Sequence, residues 1–464
     1  MTWRLAALPL LLSAVPLSAI AAGRCPEVLA ALEGRIADAV CFESPDLTTN
    51  NALPPPSGPT TPANNALTPP LPLFAFTPQT DRGVISPDPP DRTPIVKAVP
   101  GLQVQGRLAD DPTGEARFLL RLPDDWNGRL VVAGASGNRS EFNGDFAWSD
   151  YVVQKGYAYA SQNKGMMNLF LTTADDPLGC RLNPSSPLFV HFYVNDPQKS
   201  FTEWQPRISQ AARLARDGVK ARYGHHPRHT FAVGTSNGGY QVRRAVEESP
   251  DLFDGGVDWE GTFVDPGLHN LLVQLPAALR HWPDYVASGF APASSAARAI
   301  VEAGYPPDIV VRDANGAFVR SLWSLNWGSF WEVTWCQWQK KLDPGYDTYG
   351  SGAAGYDYVN RSLTTGVAAN LSAFATTGKI KKPLVTVAGT MDALLPIDHH
   401  ARAYAAKVAA SRKGSEEHRA AQYRLYEVQN GTHIEAYKSL LPGIELLQPH
   451  AQRAFDMVVD HVEH

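Results

Sequence analysis

The chain has 464 residues, 44% of them hydrophobic and 10% aromatic, enough apolar sequence to bury one large core or two modest ones. Its formal net charge is −5 and it contains no long basic run, which argues against nucleic acid and anionic membrane surfaces as partners.

The sequence begins MTWRLAALPLLLSAVPLSAIAAGRC. Arg4 precedes an apolar stretch too short for a comfortable membrane span, and Ala19, Ala21 and Ala22 supply the small residues of a cleavage site. Residues 1–22 are therefore expected to be a signal peptide, with a secreted or periplasmic mature chain. No later stretch is long and apolar enough for stable membrane insertion. In an oxidising compartment the four cysteines suggest two disulfides, although they allow three pairings. Cys25 with Cys41 would staple a short N-terminal segment, and Cys180 with Cys336 would then tie two distant parts of the chain. There is no CxxC and no metal-type spacing. GHHPRH, with His225, His226 and His229, lacks the glutamate of a zinc-protease helix and reads as a polar surface loop. No metal and no cofactor are expected.

Residues 23–94 are expected to form an arm on the main domain, rich in proline between about 45 and 100, where Asn-Asn-Ala-Leu occurs twice. Such prolines favour extended chain and cannot build a helix or a central strand. From about residue 95 strands and helices alternate. ARFLLRLP, RLVVAG and YAYASQ read as strands, and FAWSDYVVQKG fits a helix. A long amphipathic helix, EWQPRISQAARLARDGVKARYG, leads to the strand HTFAVG. The helix GGYQVRRAVEESP and the strand FDGGVDW follow. The alternation resumes with PLVTVAG, the helix DHHARAYAAKVAAS, the strand YRLYEV and a last helix near 449–462. Strands alternating with helices predict an α/β fold, a mostly parallel sheet covered on both faces. The core domain would comprise 95–261 and 376–464, and the Trp-, Tyr- and Gly-rich residues 262–375, with weak strand signals, would be a lid insertion.

Ser236 lies in FAVGTSNGGYQ, between a strand and a helix. A serine on a sharp strand-to-helix turn, with Gly234, Gly238 and Gly239 permitting close backbone packing, is the pattern of a nucleophile elbow. A serine hydroxyl is a poor nucleophile until a histidine takes its proton, and that histidine needs an acid to hold its tautomer. In this fold the order is serine, acid, histidine. PLVTVAGTMDALLP puts Asp392 just past a late strand, and YRLYEVQNGTHIEAY puts His433 in the loop after the final one. Asp258 or Glu260, at the end of the preceding strand, are rival acids. Asp398, His399 and His400 read as surface residues beginning a helix, and His450 as structural. Oxyanion donors are expected from the backbone N–H of Asn237 and from ASGNRS, at Ser136 or Gly137.

LPDDWNGRLVV, DYVVQKGYAYASQNKG, GTSNGG, FDGGVDWEG, AGTMDALLP and NGTHIEAY together resemble secreted α/β-hydrolases of the tannase/feruloyl esterase and 3-hydroxybutyrate oligomer hydrolase groups. The likeness runs over about 115–260 and 380–460. It implies an α/β-hydrolase fold with Ser236 as nucleophile, Asp392 as acid and His433 as base. Tannase-type enzymes carry a disulfide between a cysteine before the serine and one after the histidine; here Thr235 and Ile434 stand in those places.

Trp323, Trp327, Trp331, Trp335 and Trp338 fall at helical steps, so a helix over 316–341 would gather them on one arc of about 120°. Such a stripe serves either as the lid's own core or, through Trp323, Trp327 and Trp331, as a substrate-binding wall. The sequence thus leads to a secreted serine hydrolase of carboxylic esters, aromatic or of the hydroxyalkanoate-oligomer type, whose partner is a small or oligomeric ester. A serine peptidase and a non-catalytic binding protein of the same fold are the alternatives. Oligomeric state is not legible.

Overall fold

The computed structural model describes residues 24–50, 87–137, 141–142, 144–165, 170–171, 180, 189–190, 201, 204–267, 269–346, 355–413 and 422–464. The expected signal peptide and residues 51–86 of the Pro-rich segment lie outside them.

Nine strands form one sheet: β1 (Ile36–Ser44), β2 (Gly101–Leu108), β3 (Arg117–Pro123), β4 (Arg129–Gly134), β5 (Ala158–Gln162), β6 (His229–Thr235), β7 (Gly255–Trp259), β8 (Leu384–Gly389) and β9 (Tyr423–Val428). Their order is β1-β2-β3-β5-β4-β6-β7-β8-β9. The first three strands are antiparallel to their neighbours, and every pair from β5/β4 to β8/β9 is parallel. Helices on both faces and this crossover at β4/β5 make it an α/β-hydrolase fold.

Period-two alternation shows why the sheet is double-faced. Leu130 and Val132 of β4 and Ala232 of β6 pack under the helices Arg24–Leu32, Trp204–Tyr223, Asn237–Glu248 and Ala401–Arg412. Val131, Ala133, Phe231 and Val233 face the other way, onto Trp148 and the C-terminal helix Gln448–Glu463. Each fully buried Val, Leu or Phe side chain is worth about 1.5–3 kcal/mol over its exposed state.

The N-terminal segment departs from expectation. Residues 24–44, read as part of an arm, form a helix and the outermost strand β1, which pairs with β2. The register of β1 shifts between Ala37 and Val40, and Asp38 has φ of 51°. That irregularity breaks the apolar alternation by which a strand is recognised. Cys25 and Cys41 are bonded across this helix and strand, and Cys180 is bonded to Cys336.

Between β7 and β8 the described residues of 262–375, called the cap from here on, are mostly helical rather than strand-like. The helix Leu271–Ala287 carries Pro276 and Pro283 inside it, which conceals it from a reading by propensity. The helix Ser295–Glu302 and a short hairpin, Val310–Arg312 with Phe318–Ser321, follow. Residues 322–342 then run as Leu322–Asn326, a wide π-type turn at Trp327–Trp331, and Glu332–Leu342. The cap core is continuous with apolar residues over the sheet's C-terminal edge, among them Leu394, Leu395 and Ile434.

Candidate active site

Strand register brings the site together. Gly134 of β4 lies opposite Gly234 of β6, Thr235 opposite Trp259, Trp259 opposite Val387, and Gly389 opposite Val428. The loops after β4, β6, β7, β8 and β9 therefore leave the sheet at one edge. Ser236, Glu260, Asp392 and His433 lie in the last four of these loops.

Ser236 has φ of 60° and ψ of −122°, in a region that residues with side chains rarely occupy, and the helix Asn237–Glu248 begins directly after it. The turn is tight because of its glycines. A Cβ on Gly234 would sit 2.4 Å from the Gly238 carbonyl, and one on Gly239 would sit 2.4 Å from Asp258 Oδ1. The Ser236 N–H donates to the Trp259 carbonyl at 2.9 Å, tying the turn to the end of β7.

Asp392 and His433 meet as a hydrogen-bonded pair, Asp392 Oδ2 lying 2.8 Å from His433 Nδ1. The other carboxylate oxygen, Oδ1, accepts the N–H groups of Leu394 and Leu395 at 2.8 and 2.7 Å. Asp392 is thereby held by backbone on one side and imidazole on the other, both groups being almost wholly buried. With Nδ1 engaged by a carboxylate, Nε2 is left for a proton from another group.

The two rival acids separate. Asp258 is consumed by structure: it is ion-paired with Arg243 at 2.6 Å and accepts from Gly261 N–H and Thr386 Oγ1. Glu260 is closer to the chemistry, with Oε2 3.5 Å from His433 Nδ1 and Oε1 accepting the Gly389 N–H at 2.9 Å. Burial, and then the neighbouring Asp392 carboxylate, push Glu260 well above the usual carboxylate range. The shorter contact and better backbone support favour Asp392 as the partner of His433. Glu260, Asp392 and His433 keep their ligand-type atoms within 4.8 Å of one another, a cation-sized spacing, but the 2.8 Å contact is that of an N–H···O bond within the cluster.

A small, partly open cavity lies over these groups. Ser136, Gly137, Ser236, Asn237, Thr262 and His433 form its polar floor. Asn237 is fixed by the Thr262 hydroxyl, which donates to its Oδ1 at 2.6 Å, and its N–H belongs to the first turn of a helix, where backbone donors and the helix dipole favour negative charge. Leu271, Phe330, Trp338, Leu394 and Leu395 supply an apolar wall.

Of the two readings of the tryptophan stripe, the substrate wall of Trp323, Trp327 and Trp331 is corrected here. Trp323, Trp327 and Trp331 do not border this cavity; the cap helix faces it with Phe330, Thr334 and Trp338, spaced four residues apart. Trp323 and Trp331 are fully buried, their indole N–H groups donating to Pro306 O at 3.0 Å and Ala393 O at 2.8 Å. Trp327 stacks on Trp282 with ring centroids 5.2 Å apart. Phe330 and Thr334 were missed because the wide turn changes the phase of the helix after Trp323, so a wheel drawn at constant pitch misassigns its faces. The i, i+4, i+8 spacing back from Trp338 was the available signal. His400 also differs from expectation: it is buried, its Nδ1 accepting from Phe263 N–H and its Nε2 bonded to Gln274 Oε1, and burial drives its basicity down.

Comparison with known proteins adds three findings. A family model described as 3HB-oligomer hydrolase matches residues 345–464, a stretch that contains Asp392 and His433 but not Ser236. Over 81 residues the chain is 40% identical to a D-(-)-3-hydroxybutyrate oligomer hydrolase of Burkholderia thailandensis and 38% identical to one of Burkholderia mallei. Each match covers 17% of this chain and only 11% of the relative. Among solved structures, tannin acyl hydrolase from Aspergillus niger aligns with a TM-score of 0.48 at 13% identity, covering 84% of this chain and 88% of that one. Feruloyl esterase B from Aspergillus oryzae aligns at 0.47 and 13%, covering 88% and 83%. In its C-terminal quarter, the chain resembles the 3-hydroxybutyrate oligomer hydrolases.

Proposed function

We propose that this chain is a serine hydrolase of carboxylic esters. The observation that carries the reading is a serine on a strained strand-to-helix turn sharing a cavity with a histidine whose Nδ1 is 2.8 Å from a buried aspartate. Ser236 Oγ attacks the ester carbonyl carbon while His433 Nε2 takes the hydroxyl proton. Asp392 holds the imidazole tautomer and stabilises the imidazolium. The oxyanion is received by the N–H of Asn237 and by N–H groups of Ser136 and Gly137. The tetrahedral adduct collapses to an acyl-enzyme as His433 returns the proton to the leaving alkoxide. Water, deprotonated by the same imidazole, then releases the acid.

The substrate class follows from the cavity and the relatives. An apolar wall facing a polar floor suits an ester with aliphatic or aromatic flanks, and resemblance to hydroxybutyrate oligomer hydrolases favours short hydroxyalkanoate oligomers. Residues 262–375 act as the lid, and two disulfides fit an exported protein. The test is hydrolysis of short-chain p-nitrophenyl esters and of 3-hydroxybutyrate dimer and trimer by wild type and Ser236→Ala. Turnover by wild type that vanishes in the variant is the expected result; equal rates would remove Ser236 from the reaction.

A further inference from the structure

Lys164 follows β5 with φ of 61°, and its side chain is completely buried. Its own N–H donates to Gln162 Oε1 at 2.6 Å, and Gly165 N–H donates to Asn163 Oδ1 at 3.2 Å, so local side chains brace the turn. The ammonium lies 5.4 Å from the centre of the Trp204 ring. It donates to the Ala135 carbonyl at 3.2 Å and, more closely, to the Ser136 carbonyl. Burying an ammonium is unfavourable unless its donors are met, so a lysine is a poor default filler for this position.

Two consecutive carbonyls turned to one ammonium have a geometric counterpart. In a trans peptide the N–H points opposite to the C=O of the same unit. The Ala135 carbonyl therefore sets the direction of the Ser136 N–H, and the Ser136 carbonyl that of the Gly137 N–H, both away from Lys164. Successive N–H groups pointing the same way make an anion-binding concavity. Upstream, the Ala135 N–H donates to Gln241 Oε1 at 2.9 Å, which anchors the start of the same loop to the helix after Ser236. Ser136 and Gly137 border the cavity that holds Ser236 and His433.

We propose that Lys164 is a positioning residue for ester hydrolysis. Its ammonium turns the Ser136 and Gly137 amides toward the oxyanion of the tetrahedral adduct and keeps a fixed positive charge behind them. The ligand it acts on is the anionic oxygen on the acyl carbon, reached through two peptide units and not by contact. This inference rests on Ser236 being the nucleophile.

The test compares wild type, Lys164→Met and Lys164→Arg in hydrolysis of p-nitrophenyl butyrate and in inhibition by phenylboronic acid, whose adduct with a serine mimics the tetrahedral species. Losing an oxyanion donor costs about 10²- to 10³-fold in kcat. Lys164→Met is expected to lose that much in kcat with KM within about threefold, and to weaken the boronate in proportion to kcat/KM. Lys164→Arg, which keeps a donor, should recover at least about tenfold of the loss. A folded Lys164→Met with kcat within threefold of wild type overturns the proposal, as does a slow variant that binds boronate like wild type. Should the methionine variant not fold, Lys164→Gln is read in its place, and unchanged boronate affinity overturns the proposal equally. Wild type that hydrolyses the ester unaffected by Ser236→Ala or boronate would instead remove the hydrolase reading on which the inference stands.

Discussion

The sheet's C-terminal edge and the cap above it are held in place by different forces. At the edge the Asp392 carboxylate is located by directed bonds, accepting two backbone N–H groups and facing one imidazole. In the cap the large rings pack edge to face, Trp335 on Tyr356 at 4.7 Å and Trp331 on Tyr305 at 5.1 Å, and the bonds of Trp323 and Trp331 to backbone carbonyls fix rings that packing has already buried. A change at the edge should therefore alter chemistry while leaving the fold intact. A change in the cap core should lower stability and affect every substrate alike. Phe330, Thr334 and Trp338 sit where the two regimes meet, and substitutions there can separate them.

The largest effect expected is at the edge. Ser236→Ala should cut ester turnover by about 10⁴- to 10⁶-fold with circular dichroism unchanged. Turnover within tenfold of wild type would break the comparison at its first term. Next comes the choice between carboxylates. Asp392→Asn should lower kcat by about 10³- to 10⁴-fold, whereas Glu260→Gln, at 3.5 Å from the imidazole, should cost less than tenfold. Steady-state kinetics on both variants decide it, and a severe Glu260→Gln with a mild Asp392→Asn would reassign the acid.

The cap supplies the third contrast. Trp331→Ala leaves a cavity in a packed core and should destabilise by about 3–5 kcal/mol, lowering activity on all esters in parallel. Trp338→Ala, which also opens the cavity wall, should reduce kcat/KM for hydroxybutyrate trimer or an aromatic ester at least tenfold more than for p-nitrophenyl acetate. Melting temperatures and both activities for each variant tell a shared loss from a selective one.

The smallest effect concerns Glu435, two residues past His433. Burial pushes its carboxyl up to about 8, although its Oε1 accepts the N–H groups of Leu447 and Gln448. The unfolded chain releases this proton near pH 4.3. The native state thus binds a proton that the unfolded state lacks, and stability from this group is lost as pH rises from about 4.3 towards 8. Glu435→Gln keeps an acceptor for the two N–H groups and has no proton to lose. Its melting temperature should gain on wild type between pH 5 and 8, by roughly one to a few degrees. A constant difference across that range would exclude the titration.

What could be read beforehand follows the same division. The loop positions of Ser236, Asp392 and His433 were legible because strand ends fix where loop residues emerge, and strands such as LVTVAG and YRLYEV announce themselves. The proximity of Asp392 to His433 was an expectation from order along the chain, and only tertiary structure supplies its distance. The strand β1 was hidden by its bulge, and the helix Leu271–Ala287 by its two prolines. The face of the cap helix was unreadable for a different reason: five tryptophans at helical steps mark a helix but not its phase. The relation of Lys164 to the Ser136 carbonyl is non-local and leaves no periodic signal at all.

The wide turn at Trp327–Trp331 sets a rule for changes of length. Such a turn holds one residue more than a regular helical turn in the same place. Removing one residue there lets the helix close up while Leu322–Asn326 and Glu332–Leu342 keep their orientation. Removing one residue from 332–337 rotates everything beyond it by about 100° and carries Trp338 away from the cavity. The cap helix therefore has one joint that tolerates a deletion, and insertions or losses among homologous caps should gather at it while the rest of the helix stays constant in length.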